Sequence, residues 1–99
     1  MTTFIQVKEK YFDRLNQFVP IVDRVHGNNH PEFHEVKGLW DAIYEKTTSD
    51  DLNIPNLDPE LERLREVTDY YKVPDDVCES YEAVYHMLEE VDSAYTNES

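Results

Sequence analysis

Phe4, Tyr11, Phe18 and Val25 recur every seven residues at the start of the chain, with Leu15 and Val22 between them and Phe12 and Val19 beside them. That period lays one apolar face along an α-helix and predicts a helix over about residues 3–25. Only two glycines occur in ninety-nine residues, so long helices with few tight turns are expected. Pro20 falls inside this first helix. It removes one backbone hydrogen bond and crowds the preceding turn, which predicts a kink or a local break. Gly27 follows His26 and is expected to end the helix in the left-handed conformation.

Three further segments carry the same periodicity. Pro31 suits a first helical position because its missing N–H is not needed there, and Glu32 and Glu35 lie near the positive end of the helix dipole. Phe33, Val36, Trp40 and Ile43 form an apolar stripe, with Leu39 and Tyr44 beside it, over a helix at about 31–46. Thr47 to Asn56 is polar, contains Pro55 and reads as a loop. Asp58-Pro59-Glu60 is a second start signal, with Asp58 as the capping carboxylate, for a helix at about 58–71 built on Leu57, Leu61, Leu64, Val67 and Tyr71. Val77, Tyr81, Val84, Leu88 and Val91 predict a fourth helix at about 75–94, and the closing TNES is expected to fray. No strand pattern or internal repeat occurs. Four helices with short connections imply an all-α, antiparallel four-helix bundle in a single domain over 1–99. The first and fourth helices outlast the middle two, and the apolar surface this leaves is a reason to expect a dimer.

Charge narrows the functions open to such a bundle. Twenty-two acidic residues face nine Lys and Arg, for a formal net charge of −13. A surface this acidic repels phosphate backbones and anionic membrane faces, which argues against nucleic-acid and membrane partners. The single cysteine, Cys78, cannot form an internal disulfide and suits a reducing compartment. The N-terminal MTTFIQVKEK lacks a secretory signal pattern, so a cytoplasmic location is expected.

The richest chemistry lies in RVHGNNHPEFHE, residues 24–35. His26, His30 and His34 are spaced by four, and imidazoles one turn apart can share a metal. Together with Glu35, or with Glu32, they are the candidate ligands for one iron or zinc. Gly27 and Pro31 interrupt any helix between them, so only His30 and His34 can sit one turn apart. The structural reading is that His26 meets the last carbonyls of one helix, His30 precedes the next and His34 is an exposed polar position. Cys78 falls on the apolar side of its helix among Asp75, Asp76 and Glu79, and reads as a packed core thiol with no histidine paired to it as a base. The tyrosines read as buried rings with hydroxyls toward solvent. No Gly-rich phosphate loop, nucleophile elbow or CxxC occurs, so no catalytic residues are assigned.

Two stretches resemble a known family. FVPIVDRVHGNNHPEFHEVKGLWDAI, with its V-x-x-VHG-x-x-HPE pattern, is similar to the first ligand-bearing hairpin of the hemerythrin-like di-iron proteins that repair iron–sulfur clusters. LREVTDYYKVPDDVCESYEAVYHMLEEV is similar to that family's last helical pair through Tyr71-x-x-Pro74, Cys78 and Val84-Tyr85-x-x-Leu88. The resemblance implies a four-helix bundle and places His26 at a family ligand position. The family's other ligands have no counterpart. Ile5 stands near an earlier ligand histidine, TTSDDLN replaces the H-x-x-x-E that ends the second helix, and Pro59 to Tyr71 contains no histidine. A last H-x-x-x-E would begin around Glu98. The resemblance therefore implies a shortened relative that cannot build a di-iron centre as a monomer. The expected function is that of a non-catalytic helical protein acting through a protein partner or as a homodimer, with no cofactor. The alternative is an iron- or zinc-binding protein that uses His26 with His30 and His34, linked to cluster repair.

Overall fold

The computed structural model describes residues 3–48 and 56–98 and contains four helices: α1 Phe4–His26, α2 Glu32–Thr47, α3 Asp58–Thr68 and α4 Glu79–Glu98. They form an all-α antiparallel bundle measuring 38 × 22 × 22 Å. Side-chain contacts fix the directions. On α1 and α4, the Phe4 and Tyr95 rings lie 6.0 Å apart at one end, and His26 meets Cys78 at the other. On α2 and α3, Lys46 Nζ lies 2.8 Å from Glu60 Oε2, while Glu35 meets Arg63. The expected loop from Thr47 to Asn56 lies mostly outside the described residues. No helix among them is long and apolar enough to cross a membrane.

α1 starts at a capping box that closes two otherwise unpaired backbone donors. Thr3 Oγ1 accepts from the Gln6 N–H at 3.2 Å, and Gln6 Oε1 accepts from the Thr3 N–H at 2.9 Å. The helix runs through Pro20 without a break. Pro20 and Asn16 are both exposed, so water can serve the carbonyl that proline leaves without a donor. The seven-residue stripe is not the core stripe. Leu15, Val19 and Val22 are buried, whereas Tyr11 and Phe18 are half-buried and Val25 is 61% exposed. A strict seven-residue repeat drifts about 20° per heptad on a straight helix, and by Val25 it has left the interior.

Helix ends depart from the sequence pattern where tertiary partners intervene. Gly27 is not left-handed: its φ is −60° and its ψ −28°. Glycine is needed there for space, because a Cβ would sit 2.4 Å from the Asp23 carbonyl and 2.5 Å from His34 Cε1. Asp58 is not a cap but the first residue of α3. Asn56 Oδ1 accepts its N–H at 3.1 Å, and Tyr95 Oη accepts the Leu57 N–H at 3.1 Å. α3 stops at Thr68, three residues short of Tyr71. Asp69, Tyr70 and Tyr71 all have positive φ, at 53°, 58° and 64°. Each costs about 1–2 kcal/mol for an L-residue, so the turn is held from outside. Thr68 Oγ1 accepts the Tyr71 N–H at 2.9 Å, and Tyr71 Oη donates to Asp92 Oδ2 at 2.7 Å. α4 begins at Glu79 rather than 75, leaving Asp75 and Asp76 in a turn, and continues through Thr96 and Asn97 instead of fraying. The Thr96 hydroxyl bonds both Asp92 and Arg65, which ties that last turn down.

The core has an aromatic cluster toward each end. Phe4, Phe12 and Trp40 stack edge-to-face at one, with 4.9 Å between Phe12 and Trp40. Phe33, Tyr81 and Tyr85 fill the other, with 4.8 Å between the tyrosine rings. Asp92 is the buried carboxylate among the described residues. Burial raises its pKa, but donation from Arg65, Tyr71 and Thr96 outweighs burial and holds it below the usual carboxylate range. A depressed folded pKa adds stability above the unfolded value, about 3.9, that is lost as pH falls through the folded value. Asp92→Ala is expected to cost roughly 3 kcal/mol, because Arg65 and the buried Tyr71 hydroxyl lose their acceptor. Urea unfolding from pH 7 down to pH 2 checks both points. The wild type should lose more stability below about pH 4 than Asp92→Asn does.

Candidate functional site

At one end of the bundle the α1–α2 turn meets the segment between α3 and α4. The His26 carbonyl accepts from the Asn29 and His30 N–H groups at 3.1 and 2.8 Å, which curls the chain back and sets His30 beside His26. The His30 and Pro31 carbonyls then take the Phe33 and His34 N–H groups and begin α2. Both imidazoles stand edge-on to the buried Tyr81 ring, with centroids 5.5 Å away for His26 and 5.6 Å for His30. Tyr81 Oη lies 2.9 Å from Tyr85 Oη. Burial raises the pKa of both phenols, so both stay neutral at physiological pH.

The candidate ligands turn to separate partners. His26 Nε2 lies 3.0 Å from Cys78 Sγ. His30 bridges two carboxylates, with Nδ1 2.9 Å from Glu32 Oε1 and Nε2 2.9 Å from Asp76 Oδ1. His34 is exposed, with Nδ1 2.5 Å from Asp23 Oδ1. Glu35 takes both prongs of the Arg63 guanidinium, and that pairing lowers its pKa. The structure thus brings His26 and His30 together around Tyr81 and sends His34 and Glu35 elsewhere. Among the described residues, no three His, Cys, Asp or Glu side chains are arranged to hold a metal.

His30 carries its own protonation requirement. An ionised carboxylate only accepts, and neutral imidazole has one donor, so both bonds form together only when both ring nitrogens hold protons. Burial lowers the His30 pKa, but its bonds to Glu32 and Asp76 outweigh burial and raise it above the ordinary value. This imidazolium clamps the start of α2 to the turn before α4.

Cys78 differs most from its expected role. It is exposed rather than packed in the core, and it has a histidine beside it. The two residues are 52 positions apart, so no local motif could announce the pair. It comprises a thiol, an imidazole that can take its proton, and two donors that suit a soft or borderline metal.

The residues do not fit a di-iron centre. Such centres draw inward-pointing Glu and His side chains from all the helices of a bundle. Here the interior beside His26 is filled by Phe33, Tyr81 and Tyr85. The buried Asp92 belongs to Arg65 and Tyr71. Ile5, near a ligand position of the resembled family, is 48% exposed. No family model, characterised protein or solved structure matches the chain.

A raised histidine pKa adds stability that is fully present below the unfolded value, about 6.5, and lost as pH rises through the folded value. The wild type is therefore expected to lose urea resistance as pH rises from about 6.5 through the folded value. His30→Gln should flatten that part of the profile, and a proton NMR titration should locate the His30 midpoint above the ordinary value of about 6.5.

Proposed function

We propose that this chain is a small non-catalytic helical protein that acts by binding another protein. The observation that carries this reading is the charge at the histidine end of the bundle. Asp75, Asp76, Glu79 and Glu82 are all exposed around Cys78, on a chain whose formal net charge is −13. Such a surface attracts and orients a basic partner, and it speeds encounter more than it tightens the complex. The resemblance to cluster-repair proteins adds two classes of partner, a full-length relative or an iron–sulfur protein. The side-chain commitments of His30 and Glu35 to Asp76 and Arg63 also favour a structural use of these residues. In a pull-down with the purified chain, capture of a basic partner should weaken with added salt. It should fall about tenfold in Asp75→Asn/Glu79→Gln/Glu82→Gln. Capture of nothing at micromolar concentration, or capture indifferent to these changes, would count against the reading.

A second reading rests on the 3.0 Å approach of His26 to Cys78. In this reading the chain binds zinc or iron through His26 with Cys78 as the second donor, in place of His30 and His34, and the coordination shell is completed by a partner. Metal content after incubation with zinc(II) or iron(II) tests it. His26→Ala and Cys78→Ser should each lower bound metal and abolish metal-induced thermal stabilisation. Equal metal content in all three proteins would remove its basis.

A further inference from the structure

α1 carries two parallel apolar stripes one residue out of register. Phe12, Leu15, Val19 and Val22 are buried in the core. Tyr11, Phe18, Ile21 and Val25 form the second, with Arg14 completing its 3-4 spacing. This second stripe emerges from the bundle: Ile21 is 42% exposed and Val25 61%. Its Tyr11, Arg14 and Phe18 line a groove between α1 and α4, opposite Ala83, His86 and Met87, that encloses about 390 Å³. A 3-4 spacing of apolar residues is the pattern with which a helix meets another helix, and among the described residues no helix covers Ile21 and Val25, which are exposed.

The rims of the groove are oppositely charged. Lys10 and Arg14 stand on α1, and Glu89 and Glu90 on α4; all four are exposed. None has an ion-pair partner within 4 Å among the described residues. The charges also share a level along the bundle, since Lys10 and Glu90 line one stretch of the groove and Arg14, Glu89 and Glu90 the next.

We propose that this face takes a second copy of the chain, related by a two-fold axis parallel to the long axis of the bundle. That operation lays the α1 rim of each protomer over the α4 rim of the other without shifting either along the bundle. Lys10 and Arg14 of one protomer then meet Glu89 and Glu90 of its partner, twice over. A two-fold axis across the bundle would set α1 on α1 and like charges face to face, which the charges exclude. The net charge of −13 opposes self-association over long range. At physiological ionic strength the Debye length is about 8 Å, so distant repulsion is screened while pairs in contact persist. The proposal deepens the association reading by naming one partner.

Sedimentation velocity on the full chain at physiological ionic strength tests it. The wild type should dimerise at micromolar concentrations. Lys10→Glu/Arg14→Glu and Glu89→Lys/Glu90→Lys should each raise the dimer Kd by about tenfold or more. An equimolar mixture of the two variants should dimerise as well as the wild type, because one of its two rim pairs is restored in reverse and the other is unchanged. Circular dichroism on each variant separates a lost interface from a lost fold. A monomeric wild type, or swapped variants that dimerise unchanged, would overturn the proposal. A monomer that still captures a basic protein in a salt-sensitive way would overturn the dimer alone and leave the association reading standing.

Discussion

The buried carboxylate of Asp92 ties α4 to α3 and to the turn that follows it. α3 is the shortest helix, and its link to α4 runs through polar groups: Arg65 forks onto Asp92, Tyr71 donates to it and Thr96 bonds both Asp92 and Arg65. A carboxylate taken from water is tolerated only when its lone pairs are filled, and here Arg65, Tyr71 and Thr96 fill them. The requirement reaches further along the chain. For the Tyr71 hydroxyl to arrive at Asp92, the backbone passes through three left-handed residues, Asp69 to Tyr71. That turn ends α3 and directs the segment at 72–78 across the end of the bundle. Asp76 and Cys78 then arrive beside His30 and His26. The site geometry at one end is thus tied to a salt bridge on the α3–α4 side.

The same end shows how a histidine-rich turn is absorbed by a fold. Three imidazoles at four-residue spacing invite a shared metal, but the turn at Gly27 separates their directions. Gly27 brings the α1 terminus so near α2 that His34 packs where a Cβ would be. His34 Nδ1 there lies beside Asp23 rather than beside His26. His30 is committed by two acceptors that together demand its protonated form. His26 is the exception, because its partner is a thiol rather than a carboxylate. A thiol and an imidazole in contact remain available to an electrophile or a metal, and the chemical potential of this end is concentrated in that pair.

Most of the fold was legible in the residues. Val36, Trp40 and Ile43 on α2, Leu61 and Leu64 on α3, and Val84, Leu88 and Val91 on α4 are all buried as their spacing requires. Helical periodicity is a local property, and a helix buries whichever face its own residues make apolar. Pattern and structure part where a distant group decides the outcome. Tyr71 looked like the last turn of α3 because its spacing continues the stripe, yet Asp92, 21 residues away, captures its hydroxyl. Cys78 looked buried because it adjoins apolar positions, yet α4 begins one residue later and leaves it exposed at the helix start.

What the sequence determined by itself was the number of helices, their apolar faces and the acidity of the exterior. Each depends on residues within a few positions of one another, or on composition alone. The tertiary structure decided which polar groups meet. His26 finds Cys78, His30 finds Asp76, and Arg63 finds Glu35 across 52, 46 and 28 residues respectively. A hydrogen bond forms only when donor and acceptor come within about 3 Å of each other. That proximity is a consequence of how the helices dock, and no spacing along the chain encodes it.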